Sequence, residues 1–290
     1  MAESLVAAVC YVRLAVQDPP ASARFAAEIL GLQRGVEVEG EIPFRCDQRL
    51  RSLSFLPAAQ GAGSVGIELV DEAALATAEQ ALNAQGFTAA RAGAEACRRH
   101  GVQAMAQARD GSGNAIDLVV RPLHSGRRYF PARDAGIVGL HGVGLRSRDI
   151  VRDTMFWTAC LGARVSDRVG EITYLQVDSR HHRIALYPSE RAGLLYAAFE
   201  VEALDNIMQS SYFAQEHQVR IIQGPGRETA SNLAFLHLQG PDGALFSYVG
   251  GDDDLAGRAH RPRQFPRTVA SLCAWGSTCA DVPELQAPAS

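Results

Sequence analysis

Apolar and polar positions alternate along the first stretch of the chain, with Val12, Leu14 and Val16 on one face and Arg13 and Ala15 on the other, the two-residue period of a half-buried strand. Phe25 and Ile29 then fall four apart on one helical face, and Gly31 stands where a helix would end. Short alternating stretches follow, among them Ser52-Leu53-Ser54-Phe55-Leu56. A second unit opens with a strand over 65–70, continues with a helix over 72–85 closed by Gly86, and ends with a strand over 115–120. The C-terminal half repeats the scheme, with helices predicted near 150–161 and 203–218. Each unit reads as strand, helix, then several strands.

The two halves also match residue by residue at an offset of about 130. Tyr11-Val12-Arg13-Leu14-Ala15-Val16, with Asp18, Phe25 and Leu30-Gly31, answers Gly142-Val143-Gly144-Leu145-Arg146-Ser147, with Asp149, Phe156 and Leu161-Gly162. Val65-Gly66-Ile67-Glu68-Leu69 answers Ala197-Ala198-Phe199-Glu200-Val201, and Gly113 to Leu118 answers Gly243 to Tyr248. A tandem duplication is expected, with an N-terminal module pair over 1–125 and a C-terminal pair over 137–251, divided near residue 190. The Arg-, Gly- and Pro-rich stretch 123–136 joins them, and 252–290, opening with Asp252-Asp253-Asp254, reads as an extended tail packed on the body with Trp275 as its anchor.

Length and composition fit this picture, since 290 residues with 47% hydrophobic content suffice for two cores. No apolar run is long enough to span a bilayer and Met1-Ala2-Glu3-Ser4 lacks a basic leader, so a cytoplasmic protein is expected. A net charge of −4 gives no electrostatic reason to expect nucleic acid or membrane as a partner, and a small molecule is the default. The six cysteines have no metal-finger or CxxC spacing and read as buried reduced thiols. The chain contains no lysine, which excludes Schiff-base and lysine general-base chemistry.

Several segments of the C-terminal half carry a family resemblance. Arg180-His181-His182-Arg183-Ile184-Ala185, Tyr196 to Val201 with Leu204-Asp205, Gly224-Pro225-Gly226-Arg227, and Gly240-Pro241-Asp242-Gly243 to Tyr248 together resemble type I extradiol dioxygenases of the 2,3-dihydroxybiphenyl 1,2-dioxygenase kind, within the vicinal oxygen chelate superfamily. The resemblance implies an α+β fold of four βαβββ modules in two tandem half-open barrels, with the chemistry in the C-terminal one. It also implies iron held by two histidines and a glutamate. Carried across by motif, those ligands fall at Gly142, Tyr196 and Ser247, and the equivalent N-terminal positions are Tyr11, Ser64 and Asp117. None of the C-terminal three suits Fe(II), so no metal and no cofactor is expected. His141 is the exception to weigh, because it adjoins Gly142. A one-residue slip turns it out of the barrel unless a bulge restores it.

The expected catalytic residues are His181, matching the family's acid/base histidine, and His237, where the family has a tyrosine. His182 is expected to face away by strand alternation. Tyr196, Ser247, Arg227 and Glu228 are the expected substrate-binding residues. The function these imply is metal-independent acid/base chemistry of the isomerase, hydrolase or lyase type on an aromatic or ring-cleaved oxo acid, in aromatic-compound catabolism. One alternative is an Fe(II)-dependent ring-cleaving dioxygenase with a rearranged site of His141, His181 and His237. The other is a non-catalytic paralogue that binds a small molecule or a partner subunit. A homo-oligomer is compatible with all three.

Overall fold

In a computed structural model, residues 4–288 are described; Met1 to Glu3, on which the leader reading rested, and the last two tail residues lie outside it. The N-terminal half contributes β1 (Val6–Val16), β2 (Gln33–Arg34), β3 (Ile42–Arg45), β4 (Leu53–Pro57), β5 (Ser64–Leu69), β6 (Ala89–Arg91), β7 (Val102–Arg109) and β8 (Ala115–Pro122). They form one sheet in the order β2-β3-β4-β1-β5-β8-β7-β6. The C-terminal half contributes β9 (Ile137–Ser147), β10 (Arg164–Val169), β11 (Ile172–Gln176), β12 (Ile184–Pro188), β13 (Gly193–Val201), β14 (Ile221–Arg227), β15 (Ala234–Gln239) and β16 (Leu245–Gly250). Its sheet runs β14-β15-β16-β13-β9-β12-β11-β10, extended by the tail strand β17 (Arg263–Phe265). The pairings correspond between halves. β1 is parallel to β4 and antiparallel to β5 as β9 is to β12 and β13, and β5 is parallel to β8 as β13 is to β16.

Helices cross between strands where capping residues and apolar faces dictate. Asp18, Asp71 and Asp149 accept backbone N–H groups at the starts of α1 (Pro19–Arg24), α2 (Glu72–Ala84) and α4 (Ile150–Met155). α1 and α4 each continue as a π-helical turn, Phe25–Leu30 and Phe156–Cys160, so each predicted single helix is two segments. α3 (Ala94–His100) had no expected counterpart, whereas α5 (Leu204–Glu216) lies within its predicted range. Apolar side chains from both halves share one core: Phe25 and Phe55 pack on Phe246, and Phe87 packs edge-on against Phe156.

The tail is part of the C-terminal barrel. β17 pairs in parallel with β10, placing Arg263 opposite Asp167, and α6 (Val269–Leu272) follows. Cys273, Cys279 and Leu285 bury themselves among Tyr174, Tyr187, Tyr196 and Phe235. Trp275 is not the buried anchor expected: it is 46% exposed, with the Arg227 guanidinium 4.9 Å from its ring centre.

Candidate active site

Four strands and two loops bring the expected C-terminal residues together. β13 and β16 run parallel with Ala198 beside Ser247, and β15 lies antiparallel to β16 with His237 beside Ser247. That register explains the 2.5 Å contact between His237 Nδ1 and Ser247 Oγ. Tyr196 projects from β13 so that its ring fills the space over Gly144, where a Cβ would stand 2.5 Å from the ring. Its hydroxyl meets that of Tyr187 at 3.3 Å. Gly142 faces the Arg183 carbonyl so closely that a Cβ would lie 2.1 Å from the oxygen. A side chain at that position requires the backbone to move.

His141 reaches the interior through a bulge. Ala198 pairs with Gly142 and Phe199 with Leu140, leaving His141 as the extra residue of β9. Its ring meets His182 edge-on at 6.0 Å, and its Nε2 lies 3.6 Å from Asp252 Oδ2 at the start of the tail. Neither atom has a hydrogen-bond partner, although both are buried.

The expected facing of the histidine pair is reversed. His181 and His182 lie in the bend between β11 and β12, where strand alternation does not apply. His181 points away from the cavity: its Nε2 is 2.8 Å from Asp167 Oδ2 on β10. His182 lines the cavity, its Nδ1 3.2 Å from His181 Nδ1 and its Nε2 3.9 Å from Glu228 Oε2. The rearranged set of His141, His181 and His237 is corrected in the same way, since His181 does not share the cavity. Arg227 is also elsewhere, donating to the Asn232 carbonyl at 2.8 Å and covering Trp275. Sequence reasoning missed Asp167, Asp252, Arg263 and His260; Asp252 at the head of an acidic run was the one visible hint.

Burial sets the charge states of the walls. It pushes Glu228 up to about 7, helped by nearby Asp252 and opposed by the Ser231 hydroxyl, which donates to Oε2 at 2.5 Å. Burial holds His237 down to about 4 and His182 well below the usual imidazole value, with His181 and His141 adding to the latter. Burial alone would raise Asp252, but His141 and Arg180 outweigh it and keep the carboxyl low. The cavity bounded by His141, His182, Tyr196, Glu228, Phe235 and His237 measures about 10 Å³, space for about one water.

Among the described residues, one group of ligand-type side chains is preassembled. Asp167, His181 and His260 bring their donor atoms within 4.8 Å of one another, away from the positions the resemblance nominated. The expectation of no metal therefore meets a chain that does carry a ligand-type cluster. Within it, Asp167 also receives Arg263 Nη2 at 2.5 Å, Arg263 Nε at 3.1 Å and the Arg263 backbone N–H at 2.7 Å. A guanidinium already neutralises the carboxylate that an ion would need, so this donor set does not fit a metal in this arrangement.

Residues 139–248 match the profile of the Glyoxalase/Bleomycin resistance protein/Dioxygenase superfamily. The match covers that segment alone, and over its length the chain has the fold of solved catechol dioxygenases. Among curated relatives, it is 24% identical over 263 residues to 3-methylcatechol 2,3-dioxygenase of Pseudomonas putida, covering 83% of this chain and 88% of that one. It is 27% identical to metapyrocatechase 2 of Cupriavidus necator over 197 residues, which spans 60% of each protein. Solved structures of the same fold include a halotolerant catechol dioxygenase, with a TM-score of 0.87 at 19% identity and 97% of both chains covered. An Mn(II)-bound glyoxalase from Novosphingobium aromaticivorans superposes with a TM-score of 0.83 at 21% identity, covering 99% of this chain and 95% of that one. No helix among the described residues is long and apolar enough to cross a membrane.

Proposed function

We propose that this protein is an acid/base enzyme of aromatic-compound catabolism on an extradiol dioxygenase scaffold, acting without metal on an aromatic or ring-cleaved oxo acid in the C-terminal barrel. The observation that carries this reading is the unbroken run from Asp167 through His181 to His182, ending 3.9 Å from Glu228 at the cavity wall. Glu228, held to about 7, is available as an acid near neutrality, and a neutral His182 beside it as a base. His237 with Ser247, and Tyr196, orient the ligand. His141 Nε2 and Asp252 Oδ2, buried without partners, are the polar atoms left for an oxygen of the ligand. A cavity of one water's size admits a ring only when the Tyr196 phenol leaves its place over Gly144.

The loss of the iron ligands is supported by Gly142, where even a Cβ does not fit, and by Ser247, engaged with His237. The experiment is turnover of a panel of aromatic acids and ring-fission products. His182→Asn and Glu228→Gln are expected to lose on the order of 100-fold or more while remaining folded. Unchanged turnover in both variants removes the proposal. The Fe(II) reading is favoured by the Asp167, His181 and His260 cluster alone. Stoichiometric iron in protein purified without chelators, abolished by His260→Ala, establishes it; metal-free, active protein eliminates it.

A further inference from the structure

Asp167 is fully buried on β10, and every contact it accepts besides His181 comes from the tail. Arg263 Nη2 and Nε approach Oδ2 at 2.5 and 3.1 Å, Arg263 Nε and the Arg263 backbone N–H approach Oδ1 at 3.2 and 2.7 Å, and His260 Nε2 lies 3.3 Å from Oδ1. The parallel pairing of β17 on β10 sets Arg263 directly beside Asp167, so this clamp exists only while the tail is seated.

Hydrogen-bond chemistry then fixes the nitrogens in turn. An ionised carboxylate only accepts, so His181 Nε2 carries the hydrogen. An imidazole with one N–H carries its lone pair on the other ring nitrogen, here His181 Nδ1. The facing atom 3.2 Å away is His182 Nδ1, which must donate. A neutral imidazole has one N–H, so His182 Nε2, the nitrogen turned toward Glu228 in the cavity, is left as an acceptor.

We infer that Asp167 and the tail's Arg263 are positioning residues, which through His181 hold His182 in the tautomer whose free Nε2 faces the cavity, so that seating of the C-terminal tail arms the site. This rests on the reading of His182 as the cavity base. The same tail sets Asp252 against His141 of the cavity wall and adds Cys273, Cys279 and Leu285 to the apolar packing around it. One segment therefore both closes the chamber and sets its base.

The test is the tautomer itself, read from ring-nitrogen signals of the full chain labelled with ¹⁵N-histidine. It needs no substrate. The wild-type protein is expected to show His182 as a single Nδ1–H species. Asp167→Leu should convert it to a mixture with the Nε2–H form. Arg263→Ala, at a side chain that is 48% exposed and outside the core, should do the same with the backbone amide fingerprint beyond the tail unchanged. Arg263→Lys, which restores the cation, should recover part of the Nδ1–H form. Wild-type His182 with its hydrogen on Nε2, or an unchanged tautomer in Arg263→Ala, overturns the inference. A correct tautomer in a protein that turns nothing over instead counts against the acid/base reading, so the two failures are distinguishable.

Discussion

The two barrels share a strand order and a packing device but treat their central polar atoms in opposite ways. In each, a tyrosine ring from one strand lies over a glycine of its antiparallel neighbour: Tyr11 over Gly66, and Tyr196 over Gly144, in both cases 2.5 Å from where a Cβ would stand. In the N-terminal barrel the groups gathered around Asp117 satisfy one another. Tyr11 and Ser64 both donate to Asp117 Oδ2, at 3.0 and 2.6 Å, and His100 Nε2 accepts from Arg13. In the C-terminal barrel His141 Nε2 and Asp252 Oδ2 face each other unpartnered, and Glu228 is held near neutrality. Polar groups that satisfy one another are structural, whereas groups left unspent at the same depth mark where a ligand belongs.

That contrast can be broken from either side. The largest effect is expected at Asp117→Leu, which leaves two buried hydroxyls without an acceptor and should cost about 2 to 4 kcal/mol in denaturant unfolding. Asp252→Asn, which keeps Oδ1 as an acceptor for Arg180 and whose Oδ2 has no hydrogen-bond partner, should cost less. Equal losses would erase the distinction between the barrels.

The next effect is a pair of opposed pH slopes from the C-terminal barrel. Glu228 rises from 4.5 to about 7 on folding, so between those values the unfolded chain gives up a proton that the folded one keeps, and stability falls as pH rises. His237 drops from 6.5 to about 4, so between these values the unfolded chain takes up the proton and stability rises with pH. Each change corresponds to about 3 kcal/mol, and the two oppose each other between pH 4.5 and 6.5. Glu228→Gln should uncover the rising slope and His237→Phe the falling one, in unfolding measured at a series of pH values. Parallel slopes in the two variants would refute the assignment.

The smallest effect tests what the barrels share. Gly66→Ala and Gly144→Ala each press a methyl group into a tyrosine ring and should cost roughly 1 to 3 kcal/mol. A marked asymmetry would show that one ring yields and the other does not.

The fold was legible because its strands alternate cleanly and its helices begin at Asp18, Asp71 and Asp149. The C-terminal cavity was legible as a neighbourhood, since Tyr196, Ser247, Glu228 and His237 do converge there. Its orientation was not. A two-residue period holds only inside a paired strand; His182 sits in a bend, where counting turned it the wrong way, and His141 faces inward only because a bulge, the stated exception, does occur there. The clamp between Asp167 and the tail was invisible for a different reason: it joins residues 96 apart, and neither side carries a pattern that announces the other.

The tail's place in the C-terminal barrel also bears on the order in which the protein can be made. All eight N-terminal strands have been synthesised once Pro122 leaves the ribosome, so that sheet can pair while the rest of the chain is still being translated. The second barrel has to wait for Arg263, Cys273, Cys279 and finally Leu285 before its interior is covered. Until then the growing chain presents Tyr174, Tyr187 and Phe235 to solvent or to whatever chaperone meets it, and a stalled or clipped product exposes the same apolar surface.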